Sequence, residues 1–319
     1  MQKYDAVIVN YNGGKIISEC LRSLLSSSAA PSNIVIYDNN SQDDSIKIIK
    51  RKFPQVVLIE GKRNIGFGPG NNEAMKRTRS EFILFINNDV ILGKKCAGAL
   101  LEGFEDPKIV IMNPIIYKGW HKKNNSAIYS FGAEMNKSGF NYGLYDAGPD
   151  RSDLNSFSGA CFMARSKIIK KLKFEKRFFL YYEEPDISVR IMRQKLKIGR
   201  TSKAKCYHIE NYSSPQKKSD GICFRQYYAI QNHWYILGKY WPTSLLWSAM
   251  PLNIIHLIYN IFFFMKNDKF RQTKIIYLSF SNFFIGRKKY KKIHNNLWIR
   301  NLADNTLSNI FNLKKKVYR

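Results

Sequence analysis

Two carboxylates stand where short apolar runs end, Asp38 after NIVIY and Asp89 after FILFINN. A carboxylate after the second strand of a nucleotide-binding sheet can accept hydrogen bonds from a ribose or a base N–H. One after the fourth strand can hold a divalent metal that bridges a diphosphate. Both surroundings, Asp-Asn-Asn-Ser and Asn-Asn-Asp, are also common turns, but their pairing at one predicted sheet edge favours a binding site.

A glycine-rich segment, residues 63–72 (RNIGFGPGNN), opens a predicted helix. Its glycines would let the backbone approach a ligand closely, and Arg63 together with the helix N-terminus would favour phosphate oxygens. The segment is neither a Walker loop nor a G-x-G-x-x-G motif after the first strand, which disfavours those two classes of nucleotide-binding protein. A glycine-rich turn that binds nothing is an equally simple explanation.

Three carboxylates, Glu183, Glu184 and Asp186, cluster at the start of another predicted helix. Repulsion among such groups can raise the pKa of one of them and suit it to take a proton from a hydroxyl. Acidic residues in a first helical turn also match the helix dipole, so a purely structural role stays open. A single histidine such as His208 is more often an ordinary core or surface residue than a metal ligand. Its neutral imidazole could nonetheless complete the coordination of a metal held by Asp89.

The elements that must position these residues follow a βαβ rhythm over the first 113 residues. Short apolar runs alternate with amphipathic stretches, which predicts a mostly parallel sheet covered by helices on both faces. Such a sheet binds ligands at the carboxyl ends of its strands. The predicted strands are 5–10, 33–38, 56–60, 82–87 and 109–113, and the predicted helices lie near 15–27, 43–52, 69–79 and 94–104.

Residues 114–156 lose this rhythm and are rich in Gly, Asn, Lys and Tyr. This composition predicts loops or a small antiparallel excursion, which we place on the acceptor side of the site. A strand over 157–165, a short basic helix, the acidic helix start and a last strand over 197–208 follow.

Charge is distributed unevenly along the chain, whose 52 Lys plus Arg and 24 Asp plus Glu leave a net charge of +28. The excess is +4 in residues 1–150 but +15 in residues 211–319, so the back part is expected to face an anionic surface, either membrane lipid or nucleic acid. Residues 244–265 form an apolar run that would span about 33 Å as a helix, enough for a bilayer core. An interfacial helix competes with a span, because polar residues and a proline interrupt the run: Pro251, Asn253, His256 and Asn260.

The composition, with 45% hydrophobic residues, is that of a globular chain and excludes disorder and fibrous repeats. The five cysteines are widely spaced and include no C-x-x-C pair, which argues against a disulfide framework or a zinc module. The first residues, MQKYDAVIVN, enter a strand without the pattern of a signal peptide, so we expect a cytosolic location.

Seven motifs, taken in order, resemble the family 2 glycosyltransferases with the GT-A fold, especially bacterial rhamnosyltransferase-like members. They are VIVNYNGG, YDNNSQDDS, RNIGFGPGNN, FILFINNDV, FSGACFMARS, FFLYYEEPDISVR and the late His208. The match covers residues 3 to about 212, and the ordered spacing is far more specific than any single motif. The basic, apolar tail is similar to the tails of such enzymes more weakly.

The resemblance implies a Rossmann-like, mostly parallel α/β sheet with a helical, membrane-associating extension. The implied units are a GT-A domain over 1–212, with a nucleotide-sugar-binding half (1–113) and an acceptor-binding half (114–212), and a tail over 213–319.

The resemblance also implies roles for individual residues. Glu184 occupies the general base position, with Glu183 and Asp186 as neighbours that orient the acceptor. Asp89 would hold Mg or Mn on the diphosphate, with His208 as a further ligand, and Asp38 would contact the base or ribose. The residues expected along the nucleotide sugar, from the strand ends, the glycine-rich segment and the resemblance together, are Asn10, Tyr11, Asn12, Asp38, Asn40, Arg63, Asn64, Gly66, Asn88 and Asp89.

Three departures from the family pattern stand out. Asn-Asn-Asp leaves Asp89 as the single carboxylate of a D-x-D-like motif, and the base is Glu where Asp is commoner. Gln231 and Asn232 stand where many relatives have Arg-Asn, so that helix offers one phosphate-binding charge fewer.

The expected function is an inverting transfer of a sugar, with rhamnose as a candidate, from a nucleoside-diphosphate sugar to a hydroxyl. The acceptor would be a glycan or a polyprenyl-diphosphate-linked saccharide in cell-surface polysaccharide synthesis. Residues 244–319 would meet the anionic inner face of the cell membrane, as a peripheral or monotopic protein does. The oligomeric state is not predicted.

Two other classes of protein are alternatives to this function. A sugar nucleotidyltransferase resembles it in fold, but would carry an Arg-containing loop directly after the first strand, where this chain reads NYNGGK. A basic nucleic-acid-binding protein would explain the charge, but the chain has no recognised nucleic-acid motif and its apolar runs are too long for a solvated binding face. Nucleic acid is therefore not an expected partner.

Overall fold

The computed structural model describes residues 2–119, 127–209, 218–266 and 274–289, together with Ile299 and Leu302. The strands are β1 (Tyr4–Asn10), β2 (Asn33–Asp38), β3 (Val57–Glu60), β4 (Phe82–Ile86), β5 (Val90–Leu92), β6 (Ile109–Lys118), β7 (Ile128–Ser130), β8 (Ala133–Met135), β9 (Asn141–Gly143), β10 (Arg151–Leu154), β11 (Cys161–Arg165) and β12 (Lys197–His208). The helices are α1 (Ile16–Leu25), α2 (Ser45–Lys52), α3 (Phe67–Met75), α4 (Cys96–Glu102), α5 (Ser166–Leu172), α6 (Glu183–Arg193), α7 (Lys218–Tyr240), α8 (Thr243–Lys266) and α9 (Ile275–Lys288).

One sheet organises the described chain, with the strand order β10-β12-β6-β11-β4-β1-β2-β3. Strands β3, β2, β1 and β4 are parallel neighbours, and β12 runs parallel to β6. The predicted βαβ sheet is thus confirmed over its first four strands. Strand β11 lies between β4 and β6 and is antiparallel to both. This reversal is not visible in the sequence, because a fully buried strand has the same continuous apolar pattern in either direction.

The two faces of this sheet bury separate apolar layers. Along β1, Ala6 and Ile8 face one layer and Val7 faces the other, as the two-residue period of a strand requires. The first layer is covered by α1, α2 and α4, and the second by α3, α5 and α6. Helices on both faces leave the carboxyl ends of the strands as the open edge.

The region predicted as loops or an antiparallel excursion contains β7 to β10. Strands β8 and β9 form a hairpin, and β7 and β10 pair antiparallel with β6 and β12. Strand β6 runs past position 113 to Lys118, so the predicted boundary between two halves falls inside a continuous strand.

Three helices follow the sheet, in agreement with the predicted helical tail. Helix α7 packs on α6 and α9, and Tyr235 and Trp241 of this region are fully buried with Phe178. Within the described residues, α8 is the one helix whose length and composition would allow it to cross a membrane. Most of the basic residues predicted to follow it lie outside the described residues.

Candidate active site

A buried hydrogen-bond network joins the carboxyl ends of β1, β2 and β4. The Asn10 amide nitrogen lies 2.7 Å from Asp38 Oδ2 and 3.0 Å from Ser45 Oγ, and donates to both. Asn88 Nδ2 donates to Asn10 Oδ1 over 2.9 Å. Asn10 and Asp38 are fully buried and Asn88 is nearly so. The network fixes the strand ends relative to one another.

Asp38, which is expected to contact the base or ribose, also accepts hydrogen bonds from the protein. Its Oδ1 accepts the Ser41 backbone N–H over 2.7 Å, and its Oδ2 accepts the Ser41 hydroxyl over 2.8 Å as well as the Asn10 amide. Both oxygens are therefore occupied by protein donors in a site closed to solvent. Asp38 thus holds the loop that follows β2, and its contact with a base or ribose stays a prediction.

Asn39, which the sequence argument passed over, joins that loop to the glycine-rich segment. Its Nδ2 donates to Gly66 O over 3.1 Å, and its Oδ1 accepts the Ile65 N–H over 3.0 Å. Its neighbour Asn40 is exposed and has a φ of 62°. The sequence offers one chemical indication of this role of Asn39. An amide next to a buried carboxylate can donate one hydrogen bond and accept another at the same time.

Tyr11 and Asn12 extend from β1 towards the same loop. Tyr11 is 40% exposed and open to a ligand. Asn12 has a φ of 49°, its N–H donates to Ser41 Oγ, and its Oδ1 accepts the Gln42 N–H over 2.8 Å. The loops after β1 and β2 thus form one polar rim.

The glycine-rich segment packs against the chain that leads into α6. Gly66 has a φ of 94°, and a Cβ there would lie 2.2 Å from Phe179 O, so only glycine fits. The Phe67 N–H donates to Phe179 O over 2.9 Å, and Asn64 Oδ1 accepts the Gly66 N–H. Arg63 is exposed on the outer side of this loop.

Asp89 and His208 form a pair at the same edge. His208 Nε2 lies 3.1 Å from Asp89 Oδ1, and both side chains are largely buried. Pairing of β12 with β5 sets their positions, since His208 lies opposite Val90. His208 Nδ1 is buried without a hydrogen-bond partner among the described residues.

The donor set of this pair fits a divalent cation. Asp89 Oδ1 and His208 Nε2 meet in a buried place, and a carboxylate oxygen and an imidazole nitrogen are both atom types that bind divalent cations. The described residues contain no group of three or more His, Cys, Asp or Glu side chains that could hold a metal. The protein would therefore supply two ligands.

A strained turn precedes the acidic cluster. Tyr181 and Tyr182 have φ values of 69° and 72°, a left-handed conformation that costs a non-glycine residue about 1–3 kcal/mol. Asn232 of α7 holds this turn, because its Nδ2 donates to Leu180 O over 3.0 Å and to Tyr181 O over 2.8 Å. The Tyr182 hydroxyl pairs with His233 Nδ1 over 2.9 Å.

The two adjacent glutamates point to different places. Glu183 is 2% exposed and accepts the Gly68 N–H at the start of α3, whereas Glu184 is partly exposed. Glu184 Oε1 lies 2.0 Å from where a Cβ on Gly159 would stand, and the Gly159 N–H donates to it. Burial raises the pKa of both carboxyls, and the charge of Glu184 adds to the rise in the pKa of Glu183.

Asp186 lies in the interface between α6 and α7 and is fully buried. Its Oδ1 accepts the Tyr240 hydroxyl over 2.6 Å and the Lys239 ammonium over 2.8 Å. Its carboxylate is therefore turned away from Glu184. Asp186 thus ties α6 to α7, and Glu183 is buried beside the start of α3; that these side chains orient an acceptor stays a prediction.

The loop before β11 brings Glu184 and the Asp89–His208 pair to one edge of the sheet. Gly159 contacts Glu184, and its neighbour Ala160 accepts the Asn87 N–H through its carbonyl over 2.9 Å. Asn87 stands two residues before Asp89. The described residues thus combine a carboxyl of raised pKa, a cation-binding pair and a polar rim at the open edge of the sheet.

This sheet, its strand order and its edge define the GT-A fold of nucleotide-sugar-dependent enzymes. The chain belongs to glycosyl transferase family 2, whose sequence model matches residues 5–173.

Curated relatives match parts of the chain. It is 38% identical over 113 residues, 33% of its length, to a poly(ribitol-phosphate) beta-glucosyltransferase of Bacillus spizizenii, and it covers 17% of that relative. It is 21% identical over 216 residues to an N-acetylglucosaminyl-diphospho-decaprenol L-rhamnosyltransferase of Mycobacterium tuberculosis, which is 58% of this chain and 69% of that relative. The chain spans well under two thirds of the first relatives it matches, 17% and 31% of their lengths.

Solved structures are similar in fold. GalNAc-T7 with UDP, GalNAc and Mn²⁺ superposes with a TM-score of 0.59 at 12% identity, over 76% of this chain and 49% of that one. The mannosyltransferase PcManGT of Pyrobaculum calidifontis, with GDP-Man and Mn²⁺, gives a TM-score of 0.52 at 10% identity, over 89% of this chain and 86% of that one. At these identities the likeness establishes the fold alone.

Proposed function

We propose that this chain is an inverting glycosyltransferase that moves a sugar from a nucleoside-diphosphate sugar to an acceptor hydroxyl. One observation carries the proposal: Gly159 and Ala160 join the Glu184 carboxyl to the strand end that bears Asp89. A base and a diphosphate-binding position on one edge suit an in-line displacement at the anomeric carbon between them.

Glu184 is the proposed general base. Its carboxylate takes the proton of the acceptor hydroxyl, the acceptor oxygen bonds to the anomeric carbon, and the bond from that carbon to the diphosphate oxygen breaks. The Gly159 N–H keeps the carboxylate in place, and the raised pKa of Glu184 makes it a stronger base than an exposed glutamate. Glu183 is 2% exposed and lies against Gly68, whereas Glu184 is partly exposed, which favours Glu184 of the two.

The proposed donor contacts come from the polar rim and the loop before α3. Asn10 and Asp38 would hold the strand ends as well as line the donor site, while side chains and backbone of the rim and of this loop would meet the nucleotide and its phosphates. These proposed contacts are Tyr11, Asn12, Asn40, Arg63, Asn64, Gly66 and Asn88.

Asp89 and His208 would hold the divalent cation, Mg or Mn. When bound, such a cation offsets the negative charge that develops on the departing diphosphate. The presence of Mn²⁺ in the structures of GalNAc-T7 and PcManGT supports this choice.

Proteins similar to this chain suggest where the reaction takes place. The Mycobacterium relative is named for a diphospho-decaprenol acceptor and the Bacillus relative for a poly(ribitol-phosphate). We therefore propose a role in cell-surface polysaccharide synthesis, with a glycan or polyprenyl-diphosphate-linked acceptor and residues 1–212 as the catalytic part. Residues 213–319 would keep the enzyme at the cytoplasmic face of the membrane.

A donor screen tests the proposal. Release of nucleoside diphosphate from UDP-, dTDP- and GDP-sugars is measured with a polyprenyl-diphosphate-linked acceptor, in the presence of Mg²⁺ or Mn²⁺. Acceptor-dependent release from one donor is expected, and Glu184→Gln should lower it about 10²- to 10⁴-fold. Glu60→Gln, at an exposed glutamate of β3, is the matched control and should keep full activity. Near-normal transfer by Glu184→Gln would refute the assignment of the base.

A further inference from the structure

Helix α8 has two faces of different character. The inner face is buried along its whole length and consists of Leu246, Ala249, Asn253, Leu257, Asn260 and Phe264. The outer face is apolar and 42–79% exposed, and consists of Trp247, Ile254, Ile255, Ile258, Phe262 and Met265. An apolar stripe of this length on a soluble protein marks a surface that meets something else.

Helix α9, which packs beside α8, also has an exposed apolar side. Tyr277, Phe280 and Phe284 are 74%, 44% and 61% exposed, and their spacing of three and four residues places them on one side of the helix. We call these three residues, together with the outer face of α8, the outer apolar surface. Its aromatic residues are of the kind that sit at the boundary between lipid headgroups and acyl chains.

Among the described residues at the ends of α8 and α9, the exposed charged side chains are all positive. No Asp, Glu, Lys or Arg occurs from Thr243 to Met265, whereas exposed Lys266 and Lys274 lie at one end of the helix pair. Exposed Lys288 and Lys289 lie at the other end. An anionic lipid surface complements this pattern, and a second copy of the chain would bring the same positive charges against it.

The inner face of α8 is anchored near its middle. Asn253 Nδ2 donates to Ser138 O in the β8–β9 hairpin over 3.1 Å, and Asn253 Oδ1 pairs with His233 Nε2. Burial lowers the pKa of His233 to about 4, so its neutral ring accepts the Tyr182 hydroxyl at Nδ1 and donates from Nε2. The middle of α8 is thus fastened to the folded protein.

We infer that the outer apolar surface docks in the plane of an anionic lipid bilayer, so that α8 lies along the membrane and does not cross it. A crossing helix would carry Asn253, with Ser138 and His233 attached, into the bilayer centre, where buried polar groups of a folded domain are not accommodated. An in-plane helix keeps these contacts and places only the outer face among the lipids.

Vesicle sedimentation tests the docking without any sugar donor, so its outcome is independent of the proposed transfer. The full chain is mixed with vesicles of phosphatidylcholine, alone or with about one third phosphatidylglycerol. Binding to the anionic vesicles is expected, with at least tenfold weaker binding of the double variant Ile255→Asp/Phe262→Asp. The matched control is Leu25→Asp/Val57→Asp, which charges two exposed apolar residues elsewhere and should bind as the wild type does.

Labels along α8 distinguish an in-plane helix from a span. Single cysteines are placed at Trp247, Ile255 and Met265 in a Cys223→Ser background, labelled with an environment-sensitive dye, and quenched by lipids that carry the quencher at known depths. An in-plane helix gives three equal, shallow depths. A span separates the first and last labels by about 27 Å along the membrane normal, which would overturn the proposal.

Light scattering tests whether the outer apolar surface instead binds a second copy of the chain. Wild-type protein and the Ile255→Asp/Phe262→Asp variant are expected to have the same mass in solution and the same unfolding temperature to within a few degrees. A wild-type dimer that the variant converts to a monomer, with no vesicle binding by either protein, would overturn the proposal in favour of self-association.

Discussion

At the scale of single residues, adjacent side chains have unlike surroundings. Glu183 and Glu184 are neighbours in sequence, yet one accepts the Gly68 N–H and the other the Gly159 N–H. Successive side chains on a helix point about 100° apart, so the two carboxylates face different neighbours. Those neighbours are distant in sequence, and their packing decides which carboxylate faces the open edge. The site is therefore set by contacts more than by residue type.

The pH dependence of transfer should report the Glu184 carboxyl. Burial raises its pKa in the folded protein, and catalysis by a base requires the unprotonated form, so kcat/KM should fall on the acid side at a pH above the ordinary glutamate value of about 4.3. A profile from pH 4 to 9 at saturating cation measures this limb. If kcat/KM fell only at or below about pH 4.3, or if Glu184→Gln showed the same acid-side fall, the assignment of Glu184 as the base would be contradicted.

Sequence reasoning identified Glu184, Asp89 and His208, which the fold brings to one edge, because strand ends and helix starts are visible as patterns. It could not separate Glu184 from Glu183, nor show that Asp186 meets Lys239 and Tyr240. Those partners come from α3, the loop before β11 and α7, and their approach is a property of the packed chain.

At the scale of elements, two loops depend on backbone conformations that few residues adopt. Gly66 has a φ of 94° against Phe179 O, and the turn at Tyr181 and Tyr182 is left-handed twice in succession. Both loops flank the open edge, where strain is commonly retained because the surrounding structure enforces it.

Replacing Gly66 by alanine should weaken donor binding. The new Cβ would meet Phe179 O at 2.2 Å and the φ is unfavourable for alanine, so we expect a loss of about 1–3 kcal/mol in the free energy of unfolding and a higher KM for the donor. Denaturant titration and donor kinetics measure the two effects.

Gly98→Ala is the matched control for that substitution. Gly98 lies in α4, where a Cβ would make an ordinary 3.8 Å contact with Ala29. Helix propensity then predicts unchanged or up to about 1 kcal/mol higher stability, with the same KM as the wild type. Equal effects at the two glycines would show that the loop conformation is not what matters.

Asn232→Ala should lower kcat more than it changes KM. The substitution removes both hydrogen bonds to the carbonyls of Leu180 and Tyr181, which hold the turn ahead of Glu184, so the base would be misplaced and kcat should fall about tenfold or more. Gln55→Ala, at an exposed amide in the turn before β3, is the control and should retain kcat. A proportional loss of folded protein, with normal kcat per folded molecule, would indicate a purely structural role.

Element prediction succeeded where burial is uniform and failed where direction or register matters. Strand β2 has the predicted bounds because a buried β-branched run ends at Asp38, and β12 has its predicted bounds as well. The reversed direction of β11 and the extension of β6 to Lys118 depend on which strand each one pairs with, and pairing is not written in either segment alone.

At the scale of the whole molecule, charge is separated from chemistry. Residues 1–150, which hold most of the strand ends, carry a net +4, and residues 151–210, which hold Glu184 and His208, carry 15 basic and 6 acidic residues, a net +9. Residues 211–319, which hold the outer apolar surface, carry +15. The strongly basic character of the chain therefore belongs to its expected contact with a membrane.

This separation predicts that salt affects only reactions at a surface. Raising ionic strength from about 0.05 to 0.5 M shortens the screening length several-fold, so transfer to a lipid-linked acceptor in anionic vesicles should slow while transfer to a detached, water-soluble acceptor should not. Initial rates with the two acceptors measure the difference. Equal inhibition of both reactions would place the salt effect at the catalytic edge.

Gly159 has a consequence for how this sequence can vary. Its missing side chain is the space that the Glu184 carboxylate occupies, since a Cβ would lie 2.0 Å from Oε1. A position without any functional group is thereby as constrained as the base itself. If every substitution were made at each position and sugar transfer were measured, position 159 should tolerate as few residues as position 184. Variants at position 159 should lose transfer activity although every reactive group of the enzyme is still present.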